Sequence, residues 1–447
     1  MAADAPSTPA APFTYHETQI LGTSLDMQVA ALSKDDADKC HAAILAEINR
    51  LRKILSTHEP DTDLAKVNAS GDAVKVAPEV IEVLKLYDDW FAHTEGAFSG
   101  RIGGLISLWQ DAAAAGRMPT RAAVDTQVAA NGKPLWKIDE VAGTVRRLGD
   151  SAINIDSLGK GFIVSRAATA GKNAARGVHG LLLNIGGDIT AMGSRSSSVF
   201  VPWTLGIADP AHPADNAKPL TQIKITDMSV ATSGSYDRNF QIGAAKLSHI
   251  IDPRNGYPID SVDVRGGLRD PLVVSATVIA PDNAIANAVA TSLCVMTPEQ
   301  GLALIGTTPD AEALIVLSSG KEIRSKGFKN YETTAVAAAG KGWPNGAQVS
   351  IALQQNTNIR ERPYMAVWIE NAKGDLVATL AEWGSQRYVS SLSNWMRQVA
   401  DDPNFRAMTR ATRPAGKYTL VWDGKDSKGN PVPPGTYKIF VEAAYEH

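Results

Sequence analysis

The sequence predicts an α+β protein, a mixed α/β domain followed by an all-β sandwich, and three observations carry that reading. At 447 residues the chain exceeds one ordinary domain. Its hydrophobic fraction of 44% against 20% charge is that of a folded, core-forming chain. Helical and strand-like periodicities alternate up to a Gly-rich stretch at 337–348, and beyond it only strand-like runs remain.

Taken in order, the opening MAADAPSTPAAP is small and Pro-rich, with neither a basic n-region nor an apolar h-region. It reads as a disordered start, residues 1–13, of an exported, periplasmic protein whose signal peptide has been replaced by Met1. The run KDDADKCHAAILAEINRLRKIL sets Ala37, Cys40, Ile44, Ile48, Leu51 and Leu55 at helical spacing with charges opposite, so it predicts an amphipathic helix. A second helix is expected over 78–94, with Pro78 at its start. Short apolar runs at 180–183, 203–208 and 272–280 read as strands between Gly, Asp and Pro turns. They alternate with helical stretches at 161–170 and 282–296, which makes the first domain, residues 14–338, mixed α/β.

The stretch AAAGKGWPNGAQ breaks both periodicities and marks 339–348 as a linker. Past it, VSIALQQ, YMAVWIEN, GDLVATLAEW, YTLVWDG and TYKIFVEAA read as strands joined by NAKGD, DGKDSKGNP and PPGT turns. That profile predicts a β-sandwich over 349–447. The final YEH ends directly on a strand, so a natural chain that continues is one expectation.

Composition also excludes. The net charge of -3, with no cluster of Lys or Arg interleaved with aromatics, argues against nucleic acid. Cys40 and Cys294, the only cysteines, sit in helical spacing and read as small buried apolar residues. No apolar run reaches the roughly 20 residues of a membrane span.

Several motifs bear chemistry. In LSHIIDPRNGYPI, His249 lies between apolar residues and an Asp-Pro turn, which suits either a general base or a satisfied structural histidine. Two Gly-rich turns, Gly186-Gly187-Asp188 and Gly159-Lys160-Gly161, are either tight turns or backbone cradles for phosphate, with Lys160 adding a point charge. Asn287 and Thr291 stand four apart on one helix face, where two oxygens can reach one ion or ligand, or where small residues simply allow close packing. Thr232, Ser233 and Ser235 offer hydroxyls beside glycine. Tyr236 and Trp109 either stack on a ligand or pack in the core.

Together, TEGAFSGRIGGLISLW, NIDSLGKGFIVSRA, LLLNIGGDI, WTLGIADP, VATSGSYDR, LSHIIDPRNGYPI and VSATVIAPDNAIANAVATSLCVM resemble, in order, the blocks of the FAD:protein FMN transferase family. The resemblance runs from about Thr14 to Ala338. It implies a flavin-transferase-type α/β domain that binds FAD as substrate and, with Mg2+, moves FMN onto a Thr or Ser hydroxyl of an acceptor protein, releasing AMP. By the family motifs His249 is the base. The resemblance puts Ser157, Asn287 and Thr291 on the metal, Ser157 through its carbonyl. It puts Asn68, Phe98, Ser99, Lys160, Gly186, Gly187, Asp188, Thr232, Ser233, His249, Ile250 and Asp252 around the flavin nucleotide. The C-terminal part resembles the DUF2271 module on the strength of AGKYTLVWDGKDSKGNPVPPGTYKIFVEAAYEH; fusion to the transferase suggests that it docks the acceptor.

The chain departs from the family at three carboxylates: Asn287, Ser99 and Ser165 stand where the family has Asp. An Asn carbonyl ligates magnesium without bringing charge, so the resemblance implies weaker metal binding, helped by the diphosphate and by Asp282 or Asp188. Two other readings share the site: an FAD-binding carrier that has lost transfer, and an FAD pyrophosphatase that delivers FMN to water. Self-modification at 270–277, which faintly resembles an acceptor sequence, is disfavoured because the segment overlaps a core strand.

Overall fold

The computed structural model describes residues 11–212, 217–235, 239–260, 272–333, 348–355, 363–384, 391–399, 409–410 and 416–444. The described chain opens with strands β1 (Phe13–Ile20) and β2 (Thr23–Ala31), then helix α1 (Lys34–Leu55). There Ser33 caps the first turn by accepting the Asp36 N–H, and the buried residues are the six that the spacing marks, Ala37 to Leu55. Next come α2 (Asp63–Ala69), β3 (Ala73–Lys75) and α3 (Pro78–His93), which begins on its proline. Helices α4 (Gly103–Ala115) and α5 (Arg121–Asn131) precede the short strands β4 (Trp136–Asp139) and β5 (Thr144–Arg147).

Helix α6 (Leu158–Asn173) leads into β6 (Val178–Ile185), β7 (Asp188–Gly193), β8 (Trp203–Ile207), β9 (Thr221–Ile225) and β10 (Met228–Gly234). The hairpin β11 (Asn239–Ile242) and β12 (Ala245–Ser248) is followed by β13 (Val273–Ala280), α7 (Asn283–Val295), α8 (Pro298–Thr307), β14 (Glu312–Leu317) and β15 (Glu322–Arg324).

The C-terminal elements are β16 (Val349–Gln355), β17 (Tyr364–Asn371), β18 (Leu376–Trp383), α9 (Ser393–Val399), β19 (Thr409–Arg410), β20 (Gly416–Trp422) and β21 (Tyr437–Ala444). The α+β expectation thus stands, with short helix α9 added to the strand-rich part.

Two compact units divide these elements, and their bounds do not follow the linear division read from sequence. One gathers 29–203 and 225–331; the other gathers 13–28, 204–224 and 332–447. The expected linker falls almost wholly outside the described residues.

In the first unit a sheet runs in the order β6-β7-β10-β13-β14-β15, each neighbour antiparallel. Helix α7 lies on β10 and β13, with α6 beside it and α1 against α6. Small residues permit this crowding. A Cβ on Gly171 of α6 would come 2.5 Å from Ile44 Cγ1, and one on Gly161 would come 2.6 Å from the Asn283 carbonyl oxygen. The alanines of α7 (Ala284, Ala286, Ala288, Ala290) lie around the helix and are all buried. Both cysteines are free and buried, as their spacing predicts, and burial pushes each thiol up to about 12.

In the second unit β17 is the central strand, buried from Tyr364 to Glu370. Tyr364, Ala366 and Trp368 pack with Trp395 and Val399 of α9, while Met365 and Val367 pack with Trp383 and Leu420. A strand covered on both faces is what two alternating apolar sets require. Among the described residues no helix is long and apolar enough to cross a membrane.

Candidate active site

The loop that enters α6 is held in place before it reaches any chemistry. The Asn68 side chain bonds Ile153 twice, accepting its N–H at 2.8 Å and donating to its carbonyl at 3.1 Å. The Asn154 N–H reaches the Gly100 carbonyl at 3.0 Å. Leu158, first in the helix, donates its N–H to the Tyr87 hydroxyl at 3.2 Å, and Tyr87 is stacked on Phe98 with ring centroids 5.2 Å apart. These contacts fix Ser157, which precedes the helix with φ -78° and ψ -86° and makes no side-chain cap.

Its hydroxyl is free to face α7 because the two helices touch. Gly161 leaves room for the Asn283 backbone, and Ser165, where the family has Asp, accepts the Asn283 N–H at 2.9 Å. Asn287 and Thr291, one turn apart on α7, therefore come up beside the start of α6.

The β6–β7 turn supplies the remaining charge. Gly186 and Gly187 both sit in the left-handed region, φ 57° and 94°, which places Asp188 opposite Ile185 at the head of β7. Asp188 is buried, and each of its oxygens has one partner: Lys160 Nζ at 2.8 Å and Asn287 Nδ2 at 2.9 Å. Because only the amide nitrogen can donate to a carboxylate, this bond turns Asn287 Oδ1 the other way. There it accepts the Ser157 hydroxyl at 2.6 Å. Ser157 Oγ lies 3.3 Å from Thr291 Oγ1, and Thr291 Oγ1 lies 3.2 Å from Ser233 Oγ. Six side chains from α6 and its entry, β7, α7 and β10 thus form one continuous chain of polar contacts. Thr232, the neighbour of Ser233, points to the opposite face of β10 and meets Thr277 at 2.9 Å. Asp282 spends its carboxylate capping α7 on the Ala284 N–H at 2.7 Å.

The His249 segment is a second, separately clamped loop. The Ser248 N–H sits in the fork of the Asp260 carboxylate at 2.8 and 2.9 Å. Burial drives the Asp260 carboxyl pKa up, opposed by that N–H and by the charge of His249. Asp252 is gripped bidentately by Arg254 at 2.9 and 3.0 Å, and its own carbonyl accepts the Gly256 N–H at 2.8 Å. Ser99 is buried and donates to Asn131, whose amide reaches the Pro253 carbonyl at 3.2 Å. Ile250 is buried, and its carbonyl accepts the Ile259 N–H. His249 itself is half-buried.

Asn68, Phe98, Ser99 and Asp252 therefore hold the site's loops, while Lys160, Asp188, Asn287, Thr291, Ser157 and Ser233 meet one another. Trp109 is a core residue, donating to the Gly256 carbonyl at 2.8 Å and packed on Phe240 and Tyr257. Tyr236 lies outside the described residues. Asp260 was missed: twelve residues separate it from Ser248, and nothing local to YPID marks it as that partner.

Comparison with known proteins places this geometry. Residues 21–315 match the model of the ApbE family, and residues 346–447 match a family described as predicted periplasmic protein (DUF2271). An FAD:protein FMN transferase of Klebsiella pneumoniae is 25% identical over 342 residues, covering 74% of this chain and 90% of its own. One from Treponema pallidum is 27% identical over 328 residues, covering 69% and 86%. The crystal structure of an ApbE protein from Thermotoga maritima superposes with a TM-score of 0.62 at 25% identity, covering 72% of this chain and 100% of that one. With about two thirds of its length under one family model and that family's fold around the polar chain just described, this protein belongs to the ApbE family.

Proposed function

We propose that this enzyme of flavin transfer moves FMN from FAD to a Thr or Ser hydroxyl of an exported acceptor protein, with magnesium on the diphosphate and AMP as leaving group. The observation that carries the reading is the polar chain at the start of α6, where one ammonium and several hard oxygens converge beside an exposed Gly-Gly turn. A lysine beside an exposed Gly-Gly turn suits an anionic diphosphate. The Ser157 carbonyl and the Asn287, Thr291 and Asp188 side chains are the oxygen donors magnesium prefers, and they include one carboxylate, so they fit a cation that arrives with an anionic partner. Ser157, Asn287 and Thr291 would hold it. The cation, when bound, supplies neutralisation of the diphosphate charge.

The rest of the reaction falls to the chain's own groups. Lys160 and the Gly186-Gly187 backbone orient the diphosphate. His249 takes the acceptor's hydroxyl proton as the new oxygen–phosphorus bond forms and the bond to AMP breaks. Ser233 and Ile250 border the nucleotide, Thr232 packs on the opposite face of β10 against Thr277, and Asn68, Phe98, Ser99 and Asp252 act through the loops they fix. The DUF2271 part, described for its family as predicted periplasmic, supports an exported location, and its fusion to the transferase part motivates a docking role towards the acceptor.

The test is to incubate the protein with FAD, Mg2+ and an acceptor domain and to weigh the acceptor. Gain of one FMN, abolished by EDTA, is expected. One observation favours a second reading, an FAD carrier or an FAD pyrophosphatase: the neutral Asn287 in the metal-facing position. If Asn287→Asp raises transfer strongly, the wild type is a weakened transferase; FMN and AMP released without an acceptor would instead indicate the pyrophosphatase.

A further inference from the structure

We infer that this chain takes up its divalent cation only together with the dinucleotide, because the site's own side chains already balance one another in charge. The inference rests on the flavin-transfer reading above and adds to it the order in which the site fills.

The hydrogen bonds and ion pairs of the six side chains involve two charges, Lys160 and Asp188, 2.8 Å apart and with side chains only 19% and 9% exposed. Asn287, Ser157, Thr291 and Ser233 are neutral. A dication entering this balanced site meets no net attraction, while it must shed water, which magnesium does reluctantly. Each donor it needs is also engaged. Asn287 Oδ1 accepts the Ser157 proton, and the Asp188 charge is already shared between the Lys160 ammonium and the Asn287 amide. The neighbouring carboxylates are engaged elsewhere, Asp282 capping α7 and Asp156 accepting from Asn154 and Thr57. A diphosphate changes the balance by bringing negative charge of its own, with Lys160 as a ready counter-ion. Coupling of this kind is reciprocal, so the dinucleotide must tighten the cation by the same factor as the cation tightens the dinucleotide.

Manganese serves as the probe, its free form counted by electron paramagnetic resonance on the full chain, alone and with ADP, after subtracting the Mn–ADP complex formed without protein. Flavin fluorescence titrations give FAD affinity with and without Mn2+. The expected result is binding at least about tenfold tighter with ADP than without, an equal gain for FAD, and Mn2+ binding to nucleotide-free Asn287→Asp about tenfold tighter than to wild type. Mn2+ held as tightly by the nucleotide-free wild type as in the presence of ADP would overturn the inference, as would FAD affinity indifferent to Mn2+. Failure to bind FAD under either condition would overturn the flavin reading itself. Should Asn287→Asp not fold by circular dichroism, the wild-type arms decide alone.

Discussion

Two regions bury acidic groups and treat them in opposite ways. At the start of α6 the Asp188 carboxylate is matched oxygen by oxygen, to Lys160 and to Asn287. In the β domain Glu382 is 1% exposed and, among the described residues, neither of its oxygens has a hydrogen-bond partner; burial alone pushes its carboxyl up to about 8. Its neighbours in that domain are served: Glu370 accepts from Trp368 and Gln398, and Glu442 accepts the N–H groups of Asn394 and Trp395 at the start of α9. The contrast separates two solutions to one problem. A buried carboxylate keeps its charge where a counter-ion is built in, and keeps its proton where none is.

The first way to break the comparison is to take away the counter-ion. Lys160→Met leaves Asp188 buried without its counter-ion, which should cost about 3 kcal/mol and remove measurable FAD binding. Urea unfolding and flavin fluorescence check it. If the cost is electrostatic, adding Asp188→Asn to Lys160→Met recovers most of the stability and none of the binding.

Close approach of α6 to α7 is what brings the two sides of the polar chain together, so it can be attacked without touching a charge. In Gly161→Ala the new Cβ meets the Asn283 oxygen at 2.6 Å and the Ala284 Cα at 2.9 Å, both backbone. Overpacking against atoms that cannot rotate away should cost about 2–3 kcal/mol. Unchanged thermal unfolding would mean that the helices can separate cheaply and that the Ser157–Asn287 contact is not enforced by packing.

On the other side, Glu382→Met should stabilise the β domain by about 2 kcal/mol at pH 6 and leave it nearly unchanged at pH 4. The sign follows from linkage. The unfolded chain releases this proton near the ordinary glutamate value of 4.5, whereas the folded domain holds it until about 8. Stability is therefore fully present below about 4.5 and falls as pH rises through that window. Tryptophan fluorescence during urea unfolding, repeated across pH, reads it from Trp368, Trp383, Trp395 and Trp422; an equal slope in wild type and variant would assign the loss elsewhere.

How much of this was legible in the sequence depends on the range of the interaction. Helix α1 was, because its six buried residues repeat at helical spacing. Helix α5 was not: it buries only Val124 and Asn131, too few to leave a stripe. Asn287 and Thr291 were legible as a pair for the same local reason, one helical turn. Their partner Ser157 is 130 residues away, and its side-chain contact depends on the glycine that lets two helices close up. Strand alternation could have separated Ser233 from Thr232 and did not enter the reading. Ser165 read as a missing carboxylate, yet its hydroxyl holds the first turn of α7, a function that no local pattern marks.

The smallest effect is expected where charges meet at the surface of the second unit. Lys218 and Lys425 each lie 3.3 Å from the Asp423 carboxylate, in an open cleft of about 840 Å³ lined also by His212, Thr379 and Trp422. Burial opposes the Asp423 charge, but hydrogen bonds from the two lysines outweigh it and hold the pKa below the usual range. Here the folded value is depressed, so the contribution is present above the ordinary 3.8 and is lost as pH falls through the folded value, the reverse of Glu382. Lys218 is 71% exposed, so solvent and salt screen its share to no more than about 0.5 kcal/mol. Lys218→Ala should therefore shift the urea midpoint barely at low salt and not at all in 1 M salt. A large, salt-resistant loss would mean that the lysine stem is packed into the cleft wall, and that this surface shares the first region's reliance on built-in partners.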